Sequence, residues 1–262
     1  MPSTYEAVQF SLGKVFENNE FEINTVLDVG AGTGTATWAT FETLGIKEFL
    51  CLEREDAMIN VGKRLMEKHP ILKQTKWKKF DIIRDEIDIK SDIVIASYMI
   101  NEIAKNDVER ITEKLWDATN KVLLILEPGT PHGFSNIKHI RSIITKNGGS
   151  IIAPCTHENN CPLPDDDWCS FTCRVQRSKT QKKLKDGVSG FEDEKFSYIA
   201  FSKNQTNKTL NRILRHPMIN KGYIEFKICT QDGIKNVKLS KKDGEIYKLA
   251  KKKNAGESLK LE

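Results

Sequence analysis

The sequence predicts an α/β protein with a mostly parallel sheet, an inserted loop and a small β unit near its end. Two observations predict this class. Short apolar runs alternate with amphipathic stretches between residues 21 and 130, and the run Val122–Leu126 is apolar enough to be buried on both faces. The 262 residues, 39% of them hydrophobic, can bury a real core. No apolar run reaches the roughly 18 residues that a membrane span needs.

The first part of the chain predicts strands and helices in alternation. Short β-branched and aliphatic runs indicate the strands, and amphipathic spacing indicates the helices. The Gly148-Gly149 pair ends the last helix. In chain order, the predicted elements are strand Val26–Val29, helix Thr35–Leu44, strand Phe49–Glu53, helix Asp56–Lys68, weaker strand Lys76–Phe80, strand Ile93–Ser97, helix Asp107–Thr119, strand Val122–Leu126 and helix Phe134–Lys146.

The pattern changes after residue 150. Two further strands are expected at Ser150–Ala153 and Phe196–Phe201, on either side of a cysteine- and lysine-rich insertion, and a small β unit at Tyr223–Cys229 and Asn236–Leu239. The last segment, KLAKKKNAGESLKLE, is expected to be frayed. The predicted organisation is an N-terminal helix (1–20), a main domain (21–153 and 191–203), the insertion (154–190) and a basic C-terminal extension (204–262).

Positive charge is concentrated towards the C-terminus. The whole chain carries a net charge of +5, yet residues 201–262 alone hold 15 Lys and Arg against 6 Asp and Glu. Residues 174–185 add six cations without an acid. Lysines in such a segment would contact phosphates and give salt-dependent binding to a polyanion. A solvated, lysine-rich surface or linker would have the same composition.

A glycine-rich turn follows the first predicted strand. The segment VLDVGAGTG ends at Gly34 and carries glycines at 30, 32 and 34, which permit a tight turn and close backbone approach before a helix N-terminus. The G-x-G-x-G spacing differs from the G-x-G-x-x-G of dinucleotide-binding folds, and the lysine of a phosphate-binding P-loop is missing. Nicotinamide binding and a turn kept for packing alone are the alternatives to a nucleoside cofactor.

Three acidic residues complete this candidate cofactor site. Glu53 closes the second strand, where a carboxylate can accept both ribose hydroxyls of a nucleoside. Asp81 follows the third strand and could accept from an adenine amino group. Asp28 could hold an amino-acid ammonium group. Together these positions resemble a class I S-adenosylmethionine-dependent methyltransferase.

The sequence does not identify catalytic residues. The segment Ser97–Glu102 lacks the Asn/Asp-Pro-Pro-Tyr/Phe pattern of amino-nitrogen methylation, and no cysteine follows the fourth or fifth strand as a ring-carbon nucleophile would. Methyl transfer can proceed mainly by alignment of the reacting groups. One of Tyr98, Glu102 and His132 could act as a general base. Alternatively, these residues have ordinary roles in packing and in loops.

The insertion contains a cluster of thiols. Cys155, Cys161 and Cys169 follow a C-x5-C-x7-C pattern, and 59 residues separate Cys169 from Cys229. Four thiolates suit zinc or an iron–sulfur cluster, and these intervals are unlike the C-x2-C pairs of zinc ribbons. Cys173 could replace one of these ligands, and accidental clustering of buried cysteines is the alternative to a metal.

Several segments together resemble one family: VLDVGAGTGTATWA, LEREDAM, ASYMINEI, LILEPGTPHGF, APCTHENNCPLP, DWCSF and EDEKFSYIAFSK. It is the methyltransferase-like family associated with the small ribosomal subunit in bacteria and mitochondria, and the likeness covers nearly the whole chain. Family members usually carry a longer helical segment before the equivalent of Pro2–Val8, so the chain is expected to be shortened or a fragment.

The resemblance implies a fold, cofactors and partners. The fold is a class I methyltransferase Rossmann-like sheet with a cysteine-rich insertion and a small C-terminal β extension. The cofactors are S-adenosylmethionine and a 4Fe-4S cluster, with Cys155, Cys161, Cys169 and Cys229 matching the cluster ligands. The implied partners are the small ribosomal subunit and its rRNA. Binding to a membrane or to DNA is not expected. The location is the bacterial cytoplasm, or the mitochondrial matrix if a transit segment is missing. Methylation of rRNA or a ribosomal protein, or non-catalytic assembly, is the implied role.

Overall fold

The main sheet of the computed structural model has eight strands in the order β3-β2-β1-β4-β5-β8-β6, with β7 also paired to β8. The structure describes residues 2–177, 182, 189–208 and 211–259. The strands of this sheet are β1 (Thr25–Val29), β2 (Glu48–Glu53), β3 (Lys76–Lys79), β4 (Ser91–Ser97), β5 (Thr119–Pro128), β6 (Ser150–Ala153), β7 (Phe171–Gln176) and β8 (Phe191–Ser202). The five neighbouring strands β3, β2, β1, β4 and β5 run parallel to one another. Strand β8 is antiparallel to its neighbours β5, β6 and β7.

Helices cover both faces of this sheet. They are α1 (Pro2–Val15), α2 (Thr35–Leu44), α3 (Asp56–Met66), α4 (Val108–Asp117) and α5 (Pro131–Lys146). A further helix near the end of the chain, α6 (Gly244–Ala250), packs against the C-terminal strands Tyr223–Thr230 and Gly233–Ser240 instead. α1 packs against α2, β7 and β8, whereas α4 and α5 pack against each other and β5. α5 begins where Thr130 accepts a hydrogen bond from the Gly133 N–H and Pro131 fixes the first turn. Within the described ranges, no helix is long and apolar enough to span a membrane.

The strands and helices predicted for the first 150 residues are confirmed, with shifted ends. The fifth strand is longer than its apolar run because Thr119 and Pro128 still pair with neighbouring strands. The sequence did not indicate β7, which lies inside the predicted insertion and pairs with β8 along its whole length. The proposed division of the chain into four segments stays a prediction.

The C-terminal extension forms a second sheet. It consists of β9 (Asn211–Ile213), β10 (Met218–Asn220), β11 (Tyr223–Thr230) and β12 (Gly233–Ser240), with β11 pairing with the other three. Ile224, Phe226 and Ile228 alternate along β11 and form a separate core with Tyr247 and Leu259. Alternation places these apolar side chains on one face of the strand.

The expectation of a frayed C-terminal segment is wrong for its described part, which extends to residue 259. Ala255 and Leu259 are buried. The Gly256 N–H donates to the Ile213 carbonyl at 2.8 Å, and the Ile213 N–H donates to the Glu257 carbonyl at 3.0 Å. The lysine-rich composition concealed these contacts, because the small and apolar residues that pack are scattered among cations.

The cation run at residues 174–185 lies mostly outside the described residues. Three of its members, Arg174, Arg177 and Lys182, are among the described residues, and the two arginines pair with acids on β8. Arg174 contacts Asp193 through two hydrogen bonds of 2.7 and 2.9 Å, and Arg177 contacts Glu192 at 3.1 Å. These two cations therefore already have counter-charges within the chain.

One buried arginine connects the two sheets. Arg212, on β9, is only 1% exposed. It donates to the Gly256 carbonyl at 2.7 Å and to the Pro154 carbonyl at 3.3 Å, and it contacts Glu17 at 3.2 Å. These partners come from the C-terminal segment, the start of the cysteine loop and the end of α1.

We expect Arg212→Met to lower the free energy of unfolding by about 3 kcal/mol, because it leaves buried carbonyl oxygens without donors. Chemical denaturation followed by circular dichroism measures the loss. Arg110→Met is the matched control, since Arg110 is exposed and pairs with Asp107 on the surface, so its loss should stay below about 1 kcal/mol. Equal losses in the two variants would contradict the role assigned to Arg212.

Candidate functional site

The glycine turn connects β1 to α2 with three residues in the left-handed region. The φ angles are +67° at Gly30, +55° at Gly32 and +80° at Gly34. A side chain at Gly30 would be strained by its φ angle, and its Cβ would stand 2.6 Å from Met99 Cγ. The Gly30 N–H donates to the Leu52 carbonyl at 2.9 Å, which holds the turn against β2.

Glu53 joins this turn to the end of β2. Its Oε2 accepts from the Gly32 N–H at 2.7 Å, and its Oε1 accepts from the Glu55 N–H at 2.8 Å. The side chain is 8% exposed and lines the cleft beside the turn. Each carboxylate oxygen can accept more than one hydrogen bond, so Glu53 retains capacity for a ligand.

The cleft lies at the carboxyl ends of β1, β2 and β4 and has a volume of about 350 Å³. In open α/β sheets, ligands bind at this edge of the strands. Four of the residues predicted from the sequence line it together: Gly30, Gly32, Glu53 and Asp81. The Oδ1 atom of Asp81 accepts from the Ile83 N–H at 3.0 Å, which orients this side chain at the end of β3.

Asp28 is placed differently. It is 1% exposed and is not among the residues that line the cleft. Its Oδ2 accepts from the Thr37 N–H at 3.1 Å and the Thr37 hydroxyl at 2.9 Å, whereas Oδ1 has no hydrogen-bond partner among the described residues. Burial raises the pKa of Asp28 to about 6, against the opposing effect of the hydrogen bonds from Thr37. Gly34, the last glycine, precedes α2 and packs towards Met66 and Trp77 instead of the cleft.

The three candidate bases, Tyr98, Glu102 and His132, differ in burial and in position relative to the cleft. Tyr98 lines the cleft and its hydroxyl donates to Glu194 Oε1 at 2.9 Å. Burial, followed by the charge of Glu194, raises the pKa of Tyr98 well above its ordinary value, so Tyr98 is unsuited to act as a base. Glu102 lines the cleft and is exposed. His132 is exposed on the first turn of α5 and is not among the cleft-lining residues.

The backbone conformation of Tyr98 and the complete burial of Glu127 were not predicted from the sequence. Tyr98 has a φ of +59°, and it is the one non-glycine residue with a positive φ in the described part of the chain. Such strain persists where the surroundings hold it, often at functional sites. Glu127, at the end of β5, is fully buried, accepts from Asn136 at 3.2 Å, and burial raises its pKa to about 7. A buried glutamate within an apolar run was the signal available.

The four predicted ligand cysteines line one cavity. Cys155, Cys161 and Cys169 come from the loop between β6 and β7, and Cys229 comes from β11. The cavity has a volume of about 40 Å³, whereas a single water needs roughly 10–15 Å³. Native interiors seldom leave such space between side chains. The thiols therefore surround a space that the protein itself does not fill.

Burial affects the titration of two thiols of the cysteine loop. Burial raises the pKa of Cys155 to about 11. Burial, followed by the neighbouring thiols, also raises the pKa of Cys169 above its ordinary value. Among the described residues, no group of three or more His, Cys, Asp or Glu side chains is arranged to hold a metal ion. The cysteines thus share a cavity without standing in a coordination geometry.

The other candidate ligands lie at the margin of this cavity or away from it. Cys173 is on β7 opposite Glu194 and does not line the cavity. His157 does line it, with Nε2 at 3.9 Å from Cys229 Sγ. Burial, followed by the charge of Arg141, lowers the pKa of His157. Chemically, four soft thiols around an unfilled space suit zinc or an iron–sulfur cluster.

Comparison with solved structures identifies the class of protein. Magnesium protoporphyrin IX methyltransferase from Synechocystis PCC 6803, solved with bound SAM, is similar over 77% of this chain and 80% of that chain. The TM-score is 0.50 and the sequence identity is 12%, so the likeness concerns the fold alone. The chain therefore has a class I methyltransferase-like fold, as predicted.

Comparison of sequences identifies the family. A family model described as mitochondrial small ribosomal subunit Rsm22 matches residues 1–260, and the chain belongs to this family. A relative from Homo sapiens, "Ribosome assembly protein METTL17, mitochondrial", is 24% identical over 235 residues. The match covers 82% of this chain and 50% of the relative, so the chain spans about half of that protein's length. The family resemblance stated from the sequence is confirmed.

The raised pKa of Asp28 predicts a specific pH dependence. Because the folded chain holds this proton more tightly than the unfolded chain, protonated Asp28 contributes stability below about pH 4, and that contribution is lost as the pH rises through about 6. Asp28→Asn keeps an acceptor for Thr37 and cannot ionise. The stability of this variant relative to the natural chain should therefore rise by roughly 3 kcal/mol between pH 4 and pH 7.

Urea denaturation at stepped pH values measures this difference. Asp117→Asn is the control, since Asp117 is exposed at the end of α4. A stability difference between Asp28→Asn and the natural chain that does not change with pH would show that Asp28 is ionised at no cost in the folded protein.

Proposed function

We propose that the chain binds S-adenosylmethionine in the cleft beside the glycine turn and acts on or with the small ribosomal subunit as a methyltransferase-like assembly factor. The observation that carries the proposal is the arrangement of Glu53. This carboxylate is fixed by the Gly32 N–H at the end of β2 and lines a cleft of about 350 Å³. A fixed acceptor at this edge of an open α/β sheet suits the ribose of a nucleoside ligand.

The residues of the cleft fit such a ligand. Glu53 would accept from the ribose hydroxyls, Asp81 would face the adenine amino group, and the backbone of Gly30 and Gly32 would permit close approach. S-adenosylmethionine supplies an activated methyl group when it is bound. Asp28 lies behind the turn, and its Oδ1 is a buried acceptor with no partner among the described residues. We propose that Asp28 acts towards the amino-acid end of the ligand through the α2 terminus or a water.

The cleft favours positioning over acid–base chemistry. The hydroxyl of Tyr98 already donates a hydrogen bond to Glu194, and Glu102 lies at the exposed rim of the cleft. Alignment of an acceptor with the methyl group can supply much of a rate acceleration without a base. The same cleft serves either a methyltransferase for rRNA or a ribosomal protein, or an assembly factor that binds the cofactor without transfer.

The exposed lysines of the C-terminal extension support an RNA partner. Five of them have no acidic group within 4.0 Å among the described residues: Lys221, Lys241, Lys242, Lys251 and Lys252. The first three lie at the same end of the second sheet, where β11 begins and β12 ends. We propose rRNA of the small subunit as the polyanion, and the mitochondrial matrix as the location, in keeping with the name of the human relative.

Glu53→Ala tests the cofactor site. The variant removes the acceptor proposed for the ribose, so S-adenosylmethionine should bind about 5- to 150-fold more weakly, the equivalent of about 1–3 kcal/mol. Isothermal titration calorimetry measures the affinity. Glu48→Ala is the control, because Glu48 is exposed at the start of the same strand. Equal affinities in Glu53→Ala and the natural chain would mean that the ligand is held elsewhere.

We further propose that Cys155, Cys161, Cys169 and Cys229 hold a structural 4Fe-4S cluster. The support is the shared cavity, its unfilled space and the four-thiol donor set. Zinc is the alternative occupant of the same thiols. Because Cys229 comes from β11, the centre would fasten the cysteine loop to the C-terminal sheet.

Cys155→Ser and Cys229→Ser should each lose the metal and make residues 154–259 more sensitive to proteolysis. Iron, sulfide and zinc analysis of anaerobically purified protein gives the first readout, and limited proteolysis gives the second. Cys173→Ser is the control and should retain the metal, since Cys173 does not line the cavity. Full metal content in both ligand variants would defeat the proposed centre.

A further inference from the structure

A buried arginine lines the same cavity as the four cysteines. Arg141, on α5, is 6% exposed. Its Nη2 donates to the carbonyl of His157 at 3.1 Å and also to the carbonyl of Asn159. Both carbonyls belong to the loop between Cys155 and Cys161. The guanidinium therefore lies against the segment that positions two of the four thiols.

Arg141 has no acidic partner in the described part of the chain. No carboxylate oxygen of these residues lies within the 4.0 Å of an ion pair, and the buried Nε has no hydrogen-bond partner among them. An arginine side chain stays charged, and a charge in the interior is costly unless an opposite charge or a metal centre compensates for it. Two carbonyl dipoles satisfy part of the guanidinium and leave its charge uncompensated.

The group of opposite character beside Arg141 is the thiol cluster. Arg141 lines the same cavity as Cys155 and Cys229, and it is buried against the loop that carries Cys155 and Cys161. Four thiolates carry more negative charge than a zinc ion or an oxidised 4Fe-4S core carries positive charge, so a centre of either kind would be anionic. The cavity thus combines a cation without a counter-charge and a ligand set that becomes anionic when loaded.

We propose that Arg141 is the counter-charge of an anionic thiolate–metal centre in this cavity, and that it sets how firmly the centre is held. The inference rests on the proposed metal centre and concerns a residue that is not itself a ligand. Arg141 would influence the metal centre from outside its ligand set, by its charge and by its hydrogen bonds to the cysteine loop. Outer groups of this kind commonly change metal affinity by about 10- to 100-fold when they are replaced.

Two substitutions distinguish the effect of the Arg141 charge from the effect of its hydrogen bonds to the loop carbonyls. Arg141→Gln keeps an amide donor for the loop carbonyls and loses the charge, whereas Arg141→Lys keeps the charge and loses the forked donor group. Lys146→Gln is the matched control, because it removes one exposed charge from the last turn of the same helix. Each protein is reconstituted anaerobically with iron(II) and sulfide, and separately with zinc, and thermal unfolding of the metal-free chains is compared.

The readouts are the rate of metal loss to a chelator and, for the iron form, the reduction potential. We expect Arg141→Gln to lose metal about 10- to 100-fold faster and to shift the potential to more negative values, because a nearby cation stabilises the more negative reduced state. Arg141→Lys and Lys146→Gln should stay close to the natural chain. If Arg141→Gln does not fold, Arg141→Lys decides: retained metal and potential support the inference, and loss of both overturns it.

Failure of the inference and failure of the proposed centre give different results. Metal held equally by the natural chain and Arg141→Gln, at the same potential, would overturn the role of Arg141 and leave the centre in place. A natural chain that takes up neither iron nor zinc would overturn both.

Discussion

The buried guanidinium of Arg212 is the constraint on which the placement of the C-terminal sheet depends. It brings together the end of α1, the carbonyl that precedes Cys155, and the C-terminal segment at Gly256. Glu17 and Gly256, the most distant of these partners, are 239 residues apart along the chain. Because β9 pairs with β11, the position of Arg212 also fixes the position of Cys229. This contact therefore helps to place the fourth thiol beside the cysteine loop.

A second polar contact attaches the cysteine loop to the C-terminal sheet. Asp167, in the cysteine loop, is held by Lys227 of β11 at 2.6 Å and by Arg215. Although burial acts in the opposite direction, these two cations hold the pKa of Asp167 below its ordinary value. The neighbouring Trp168 donates from its indole to the Gly129 carbonyl at 3.0 Å, beside the start of α5. The loop is therefore attached both to the main sheet and to the C-terminal sheet before any metal is considered.

Local patterns in the sequence were sufficient for the parallel sheet and for four of the residues that line the candidate cleft. Strand runs, the glycine turn and the acid at the end of β2 are set by nearby residues, so Gly30, Gly32 and Glu53 could be placed from the sequence. The position of Asp28 behind the turn could not, because it depends on the packing of Thr37 against β1 and β2. The hydrogen bond from Tyr98 to Glu194, 96 residues away, likewise could not be predicted from the sequence.

Contacts over long sequence distances account for the rest of what the sequence did not predict. β7 is mixed in polarity and becomes a strand because β8 continues past the sheet and offers a partner edge. Arg141 and Arg212 are ordinary surface residue types in composition, and burial with carbonyl partners from distant loops gives each its role. The cysteine spacing alone indicated a shared centre, yet the cation beside it required the fold.

The central claim is that this chain binds a methyl-donor cofactor and works with the small ribosomal subunit. The most direct test incubates anaerobically purified protein with labelled S-adenosylmethionine and immature small subunits, and then separates the particles by sedimentation. We expect the protein to sediment with the particles in a salt-dependent manner and the label to be bound or transferred. Label in RNA or protein would establish an enzyme, and bound label without transfer would establish an assembly factor. Protein that neither binds the label nor sediments with the particles would contradict the account.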